Sequence, residues 1–483
     1  MLHIEKKTKI VCTIGPSSDT PEMIEKLYDE GMDVMRINFS HGTHEEQLQK
    51  INIVRAFEKK GIYIPVCLDT KGPEIRTGMM ENGLVTVKKG QKLLICMYET
   101  LGNAERFSCS YRNLINDVRV GDPILVDDGN LILRVLAKDF DKKEILVVAE
   151  NDHYIKDQKG MNIPNSELSM PFISEQDEKD IAFGCEHDVD AIFASFVRRK
   201  QDVLDLKSLL KRFGKPDIPV FAKIENPEGV RKIDEILEVA DGVMVARGDL
   251  GDEIPPECVP SIQRRIIKLC RKLGKPVITA TQMLDSMTTH PRPTRAEVSD
   301  VATAIDESSD CVMLSGESAS GKYPCESVRM QKNIAKVMEE ELPYEQLSKE
   351  AFDSSERTVN DALANSIANT ALLIGAKLIV NFSQTGNSSK RMSKARPSCP
   401  IVSITNSRKA CLESALYWGV YSHLITTTMP DFIEEMEALA LKVARDLGIE
   451  EGSPIIIAGG TPTGAGKTNF MRIVYAIGAK DID

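Results

Sequence analysis

The sequence predicts an α/β protein in three parts: a (β/α)8 barrel, an all-β module inserted into it, and a C-terminal open α/β domain. Three observations predict it. Residues 9–316 carry eight short apolar runs of strand length, separated by amphipathic helical stretches. Apolar runs between helices indicate a parallel sheet buried on both faces, and eight in one βα series closes a barrel. The series breaks once, between Thr70 and a helical run at 175–184, and beyond Leu342 helices and strands alternate again in a separate block.

In chain order the barrel runs are KIVCTIG (9–15), VMRINFS (34–40), IPVCLDT (64–70) and AIFASFV (191–197), followed by VFAKIE (220–225), GVMVARG (242–248), PVITATQ (276–282) and CVMLSG (311–316). The interruption holds GLVTVKKGQKLLICMYE and DPILVDDGNLILRVLAKDFDKKEILVVAE, with turns at Lys88-Lys89-Gly90 and Asp128-Gly129-Asn130. Alternation punctuated by such turns reads as strands. A module that leaves and re-enters the barrel at one edge sits as a lid over its catalytic end. The last block reads helix VNDALANSIANTALLIG, strands AKLIVNFS and PIVSITN, helix SRKACLESALYWG and strand VYSHLIT. Helix DFIEEMEALALKVARDLG and strands PIIIA and NFMRIVYAI complete it. The expected boundaries are 1–72 and 171–342 for the barrel, 73–170 for a β-barrel lid domain and 343–483 for the C-terminal α/β domain.

Composition narrows the function. A formal charge of −11 argues against nucleic acid or an anionic membrane as the main partner. No apolar run approaches the roughly 20 residues of a membrane span, and MLHIEKKTKI carries charges where a secretory leader would be apolar. The eleven cysteines are scattered, with no C-x-x-C pair, and several (Cys12, Cys67, Cys311) lie inside apolar runs. Buried free thiols and a reducing cytoplasmic compartment are therefore expected.

Chemistry concentrates where the strands end. Successive runs finish in Arg36, Asn38 and Ser40; Asp69 and Thr70; Lys223 and Glu225; Arg247 and Asp249; Thr281 and Gln282; Ser315 and Glu317. Ordinary turns favour Gly, Asn, Asp and Ser, not a lysine and a glutamate flanking an isoleucine, and barrel active sites form at these ends. Lys223 and Glu225 are two apart on a strand and so share a face. Glu225 and Asp249 make an oxygen-rich pair suited to Mg²⁺, and a lysine beside it would stabilise an anion developing on a phosphoryl group or an enolate. Arg36 and Arg76 are the natural phosphate hands, and Thr281 is one link in a proton relay. HGTH places His41 and His44 three apart, but no third soft ligand is near and zinc is not expected.

One stretch invites a rival reading. SPIIIAGGTPTGAGKTNFMRI (453–473) contains Gly466-Lys467-Thr468, the end of a P-loop pattern. The pattern needs glycine at 461, where threonine stands, and a helix afterwards to carry the phosphate. The residues that follow are aromatic and β-branched, which predicts a strand.

RINFSHG, CLDTKGPEIRTG, FAKIEN, ARGDLG, ITATQML, RPTRAE and MLSGE together resemble the motifs of pyruvate kinase, in that family's order and over nearly the whole chain. The resemblance implies a TIM barrel enzyme that transfers a phosphoryl group from phosphoenolpyruvate to ADP, using Mg²⁺ (or Mn²⁺) and K⁺, and assembling as a homotetramer. Matched by position, it implies Lys223 as transition-state stabiliser and Glu225 and Asp249 as Mg²⁺ ligands. Arg36, Lys223, Gly248, Asp249 and Thr281 become substrate contacts, and Asn38, Ser40, Asp69 and Thr70 the K⁺ site. Glu74 is the residue type that accompanies K⁺ dependence in the family. Asn38, Phe39, Ser40, His41, Arg76 and Lys159 match nucleotide contacts. The family's effector site implies a phosphate held by Ser383, Thr385, Gly386, Asn387 and Ser388 on one loop and by Lys467 on the glycine-rich loop. The chain departs from fructose-1,6-bisphosphate-responsive members, which carry a Trp-Arg pair where Thr461-Pro462 stands. A catalytically silent sensor on this scaffold would have lost the lysine or a metal carboxylate, and all are present.

Overall fold

The first three apolar runs become β1 (Lys9–Thr13), β2 (Val34–Asn38) and β3 (Val66–Asp69). The other five become β4 (Ala191–Ala194), β5 (Val220–Ile224), β6 (Gly242–Ala246), β7 (Val277–Ala280) and β8 (Cys311–Leu314). All pair in parallel with their neighbours in sequence, and β8 returns to β1 to close the barrel. The computed structural model describes residues 4–477 except 128, 165 and 465. Asp128 of the expected turn, and residues 1–3 and 478–483 of the outer segments, lie outside the described residues.

Side chains alternate across each strand. Val11, Val34, Cys67, Phe193, Phe221, Met244 and Met313 fill the barrel interior, while Ile10, Met35, Leu68, Ile192, Ala222, Val243 and Val312 belong to the larger core that includes the surrounding helices. Both faces are dry, so the runs carry no polar alternation. The interior is tight: a Cβ on Gly242 would come within 2.3 Å of the Phe221 ring, which leaves glycine as the residue that can open β6. Three helices, His44–Phe57, Glu175–Glu186 and Arg295–Asp306, start with reciprocal caps formed by Thr43 with Glu46, Ser174 with Asp177 and Thr294 with Glu297. Each cap satisfies two helix-start amides and fixes where a rim loop becomes helix.

Between β3 and β4 the inserted module builds its own core from residues such as Ile75, Val87, Ile95, Phe107, Leu133 and Ile145. Its strands pair as a seven-stranded sheet edged by Ile75–Arg76 and Arg106–Ser108, with a separate ribbon of Leu84–Val87 and His153–Lys156. The two edges of the sheet meet just beyond those strands: Thr77 forms an antiparallel bridge with Cys109, the Gly78 amide donates to the Ser108 carbonyl at 2.7 Å and the Ser110 amide to the Arg76 carbonyl at 2.8 Å, so the sheet curls round on itself as in the expected β-barrel. A bulge between Leu146 and Val147 adds to the bend of the sheet.

The C-terminal sheet has the order Val420–Leu424, Ile401–Thr405, Leu378–Phe382, Pro454–Gly459, Phe470–Tyr475. The first four strands are parallel, and the last pairs antiparallel with Pro454–Gly459. The glycine-rich loop therefore joins two strands of a hairpin, which removes the P-loop reading. This domain is tied to the foot of the barrel by buried Arg396, whose guanidinium donates to Asp310 Oδ1 and to the Ser308 carbonyl, both at 2.8 Å. Of the eleven cysteines, all free, only Cys258 is exposed. Among the described residues no helix is long and apolar enough to cross a membrane.

Candidate active site at the barrel rim

The alternation that fills the barrel also builds the site. Val11, Val34, Cys67, Phe193 and Phe221 point inward, so Thr13, Arg36, Asp69, Ser195 and Lys223, two residues further along, form the next inward layer at the C-terminal rim. Arg36 Nε donates to Asp69 Oδ2 at 2.6 Å and its Nη1 to Thr13 Oγ1 at 2.8 Å. Lys223 Nζ donates to Asp69 Oδ1 at 3.0 Å and to Ser195 Oγ at 2.7 Å, and lies 2.9 Å from Glu225 Oε1. Arg36, Asp69, Lys223 and Glu225 are all buried.

Burial alone would neutralise these groups, and their neighbours decide the outcome. Burial pushes the Asp69 carboxyl up, but Arg36 and Lys223 together hold it below the usual carboxylate range. Burial depresses the Lys223 ammonium, yet Asp69 and Glu225 overcome that and raise it. Glu225 behaves differently. Burial, helped by the Asp249 charge, pushes it up to about 7 against the pull of Lys223 and of the Phe196 amide.

Glu225 is the group a cation would complete. The Phe196 N–H donates to its Oε2 at 2.5 Å, whereas buried Oε1 accepts no hydrogen bond, its contact with Lys223 lacking the alignment of one. A buried acceptor in that state, raised further by Asp249, fits a divalent ion held by two carboxylates and otherwise by substrate oxygens and water. Among the described residues no group of three or more His, Cys, Asp or Glu side chains is placed to hold a metal. His44 instead pairs with Asp180 at 2.7 Å and stacks on Phe183 at 4.4 Å, a packing role.

Thr281 follows β7 with φ +67, and Gln282 after it has φ +53. A left-handed β-branched residue costs energy and persists only where its surroundings over-determine it. Here Arg247 does so, donating to the carbonyls of Ala280 at 3.2 Å and Thr281 at 2.7 Å while anchored on Asp300 at 2.6 Å. Thr281 Oγ1 accepts from the Gly248 amide at 2.7 Å, which joins two of the expected substrate contacts. Asp249 lies one residue on, in the helix Arg247–Glu253. It lines a cavity between lid and barrel, together with Glu74, Asn162, Phe196 and Glu253.

A second cavity is lined by Thr13, Pro16, Arg36, Asn38, His41 and Ser315 among others. It gathers part of the expected nucleotide set. Arg76 and Lys159 border neither cavity: Arg76 is paired with Glu74 at 2.7 Å and Lys159 with Asp127 at 2.7 Å, on facing segments of the lid. Phe39 is buried and packs against Phe183. The four residues of the expected K⁺ set come together because Asn38 and Asp69 are register partners on β2 and β3, with Ser40 and Thr70 just beyond. Asn38 Oδ1 accepts from the Ser40 amide at 3.0 Å, and the Thr70 carbonyl accepts from Ser195 Oγ at 2.6 Å. Sequence reasoning passed over Thr13, Ser195 and Phe196. The inward parity of β1 and β4 was the signal that would have found the first two.

In the C-terminal domain Leu378–Phe382 and Pro454–Gly459 are parallel neighbours, with Asn381 opposite Ala458, so loops 383–386 and 460–469 leave adjacent strand ends. Ser383 Oγ accepts from the Gly386 amide at 3.1 Å, and Ser388 Oγ accepts from Asn381 at 2.8 Å. Asn387 begins the helix Asn387–Lys394, Thr385 lies in the loop before it, and Lys467 is exposed. A Cβ on Gly460 would meet the Lys467 carbonyl oxygen at 2.3 Å, so glycine is required for the loop to fold back there.

The chain matches a family model described as pyruvate kinase, barrel domain, over residues 5–328, and one described as pyruvate kinase, alpha/beta domain, over residues 361–474. It is 46% identical over 477 residues to a pyruvate kinase of Geobacillus stearothermophilus, covering 97% of this chain and 80% of that protein. A pyruvate kinase of Staphylococcus haemolyticus is 46% identical over 472 residues, with the same coverage. The crystal structure of a pyruvate kinase from Cryptosporidium parvum superposes with a TM-score of 0.92 at 38% identity, covering 98% of this chain and 96% of that one.

Proposed function

The chain belongs to the pyruvate kinase family, and from that premise we propose how its own residues divide the work. The activity is transfer of the phosphoryl group of phosphoenolpyruvate to ADP, giving pyruvate and ATP, the last step of glycolysis. The observation that carries the residue assignment is the buried chain Arg36–Asp69–Lys223–Glu225 at the barrel rim. Arg36 binds the phosphoryl oxygens, and Lys223 donates to the oxygen that becomes the enolate. The enol-ester P–O bond breaks, a terminal ADP oxygen bonds the phosphorus, and the enolate carbon takes a proton through Thr281 Oγ and water. Glu225 and Asp249 would hold the divalent ion, which supplies charge neutralisation between the two substrates when bound. Gly248 presents its backbone to the substrate, and His41, Phe39, Arg76 and Lys159 serve the nucleotide, the last two on lid closure. ATP formation from phosphoenolpyruvate and ADP should require Mg²⁺ or Mn²⁺. No ATP under those conditions would refute the assignment.

Asn38, Ser40, Asp69 and Thr70 offer oxygen ligands for K⁺, with Glu74 as the nearby acid. Wild-type turnover should rise strongly on adding K⁺ to a buffer free of monovalent metal ions. Glu74→Lys should weaken that response, since its ammonium supplies a fixed cation. Full wild-type activity without Na⁺ and K⁺ would remove the K⁺ site.

The paired loops 383–386 and 460–469 sit where ligands bind in open α/β sheets, beyond the ends of adjacent strands. We assign a phosphorylated effector to Ser383, Thr385, Gly386, Asn387, Ser388 and Lys467 on these loops, and the absent Trp-Arg pair favours a monophosphate. Lys467→Ala should keep kcat at saturating phosphoenolpyruvate while weakening activation by a sugar monophosphate by about 1–3 kcal/mol. Loss of basal turnover instead would place Lys467 in the transfer site. The edge strand Phe470–Tyr475 exposes Met471, Ile473 and Tyr475 on one face, which supports self-association towards a tetramer.

A further inference from the structure

Two carboxylates and one hydroxyl surround the Lys223 ammonium, and the hydroxyl, from Ser195, is the nearest at 2.7 Å. Ser195 follows β4 directly and is 2% exposed. Its Oγ also lies 2.6 Å from the Thr70 carbonyl and 3.2 Å from Asp69 Oδ1, and its amide donates to Thr70 Oγ1 at 3.0 Å. A serine hydroxyl has one proton and two lone pairs. With the proton on the close Thr70 carbonyl, a lone pair is left to face the ammonium. The next residue, Phe196, has φ +56 and turns its amide onto Glu225 Oε2. The Ser195-Phe196 turn thus holds the ammonium by a side chain and the neighbouring carboxylate by the backbone.

We propose that Ser195 is a positioning residue for phosphoryl transfer: its hydroxyl, anchored on Thr70, aims the Lys223 ammonium at the place where substrate charge develops. This rests on the role given to Lys223 above. Without the hydroxyl the attractors left to the ammonium are Asp69 and Glu225, and it relaxes onto them. A rim carboxylate that draws the ammonium aside costs turnover without costing substrate affinity, because the charge remains in the site but off the reacting oxygen.

Ser195→Ala should lower kcat about 10- to 100-fold, the scale of a lost hydrogen bond to a charged group, and change the KM for phosphoenolpyruvate less than about threefold. A double-mutant cycle separates positioning from support of the fold. Lys223→Met and Lys223→Met/Ser195→Ala should share one residual kcat, because Ser195 then has no ammonium to aim. A further loss in the double variant, or wild-type kcat in Ser195→Ala, overturns the proposal. Should Ser195→Ala fail to fold, Ser195→Cys, similar in shape but a weak acceptor, takes its place in the cycle, where the same two outcomes overturn the proposal. Wild-type kcat in Lys223→Met overturns the Lys223 assignment and this proposal together. A large Lys223 loss with an additive Ser195 loss overturns this proposal alone.

Discussion

Lys223→Met should lower kcat by about 10²–10³, the scale of one electrostatic contact made to a developing anion. The KM for phosphoenolpyruvate should move much less, because the contact strengthens only as charge accumulates. Methionine nearly preserves volume, so the barrel interior beneath it, with Phe221 and Phe193, has no reason to collapse. What disappears is a charge that Asp69 and Glu225 keep protonated against complete burial. The same variant leaves Asp69 held by Arg36, so one buried ion pair survives and the site stays folded. Steady-state kinetics at saturating ADP and Mg²⁺ would measure the effect. Near-normal kcat with a raised KM would reassign Lys223 to substrate binding.

The sequence showed some of this site clearly and some not at all. All eight apolar runs became barrel strands because burial on both faces demands unbroken hydrophobicity, a local property. Lys223 and Glu225 stood out because a charged pair at alternate positions is an unlikely way to end a strand by chance. The strand after Lys467 was legible from its aromatic and β-branched residues. Ser195 and Thr13 were not legible, since serine and threonine end ordinary strands too. Only the inward parity of Phe193 and Val11 distinguishes them, and a run apolar on both faces does not display its parity. The strand order of the lid was hidden for a different reason. Arg76 pairs with Gly160 and Met161 with Val126, across long separations that no local pattern encodes. Nor did the sequence reveal that Arg76 spends its charge on Glu74, two residues before it.

Asp69→Asn should destabilise the barrel by about 3–5 kcal/mol, the cost of stranding buried charge. Asp69 is 1% exposed and accepts from Arg36 at 2.6 Å and Lys223 at 3.0 Å. It is therefore shared by two buried cations. Asparagine keeps the shape but brings no charge, and its amide N–H₂ group presents protons to cations that need acceptors. Lys223 retains Glu225 as a neighbour, but Arg36 is left with the Thr13 hydroxyl. The expected result is a shift of the barrel's urea midpoint with little change in slope, since the area exposed on unfolding is the same. Arg36→Met in the Asp69→Asn background should recover part of the loss, because it removes one of the two stranded cations together with its need for a partner. A loss below about 1 kcal/mol would match a solvent-exposed ion pair instead, and would mean that water reaches this layer of the rim in solution. A full loss with no recovery from Arg36→Met would place the dominant cost on Lys223, and with it the principal structural duty of Asp69.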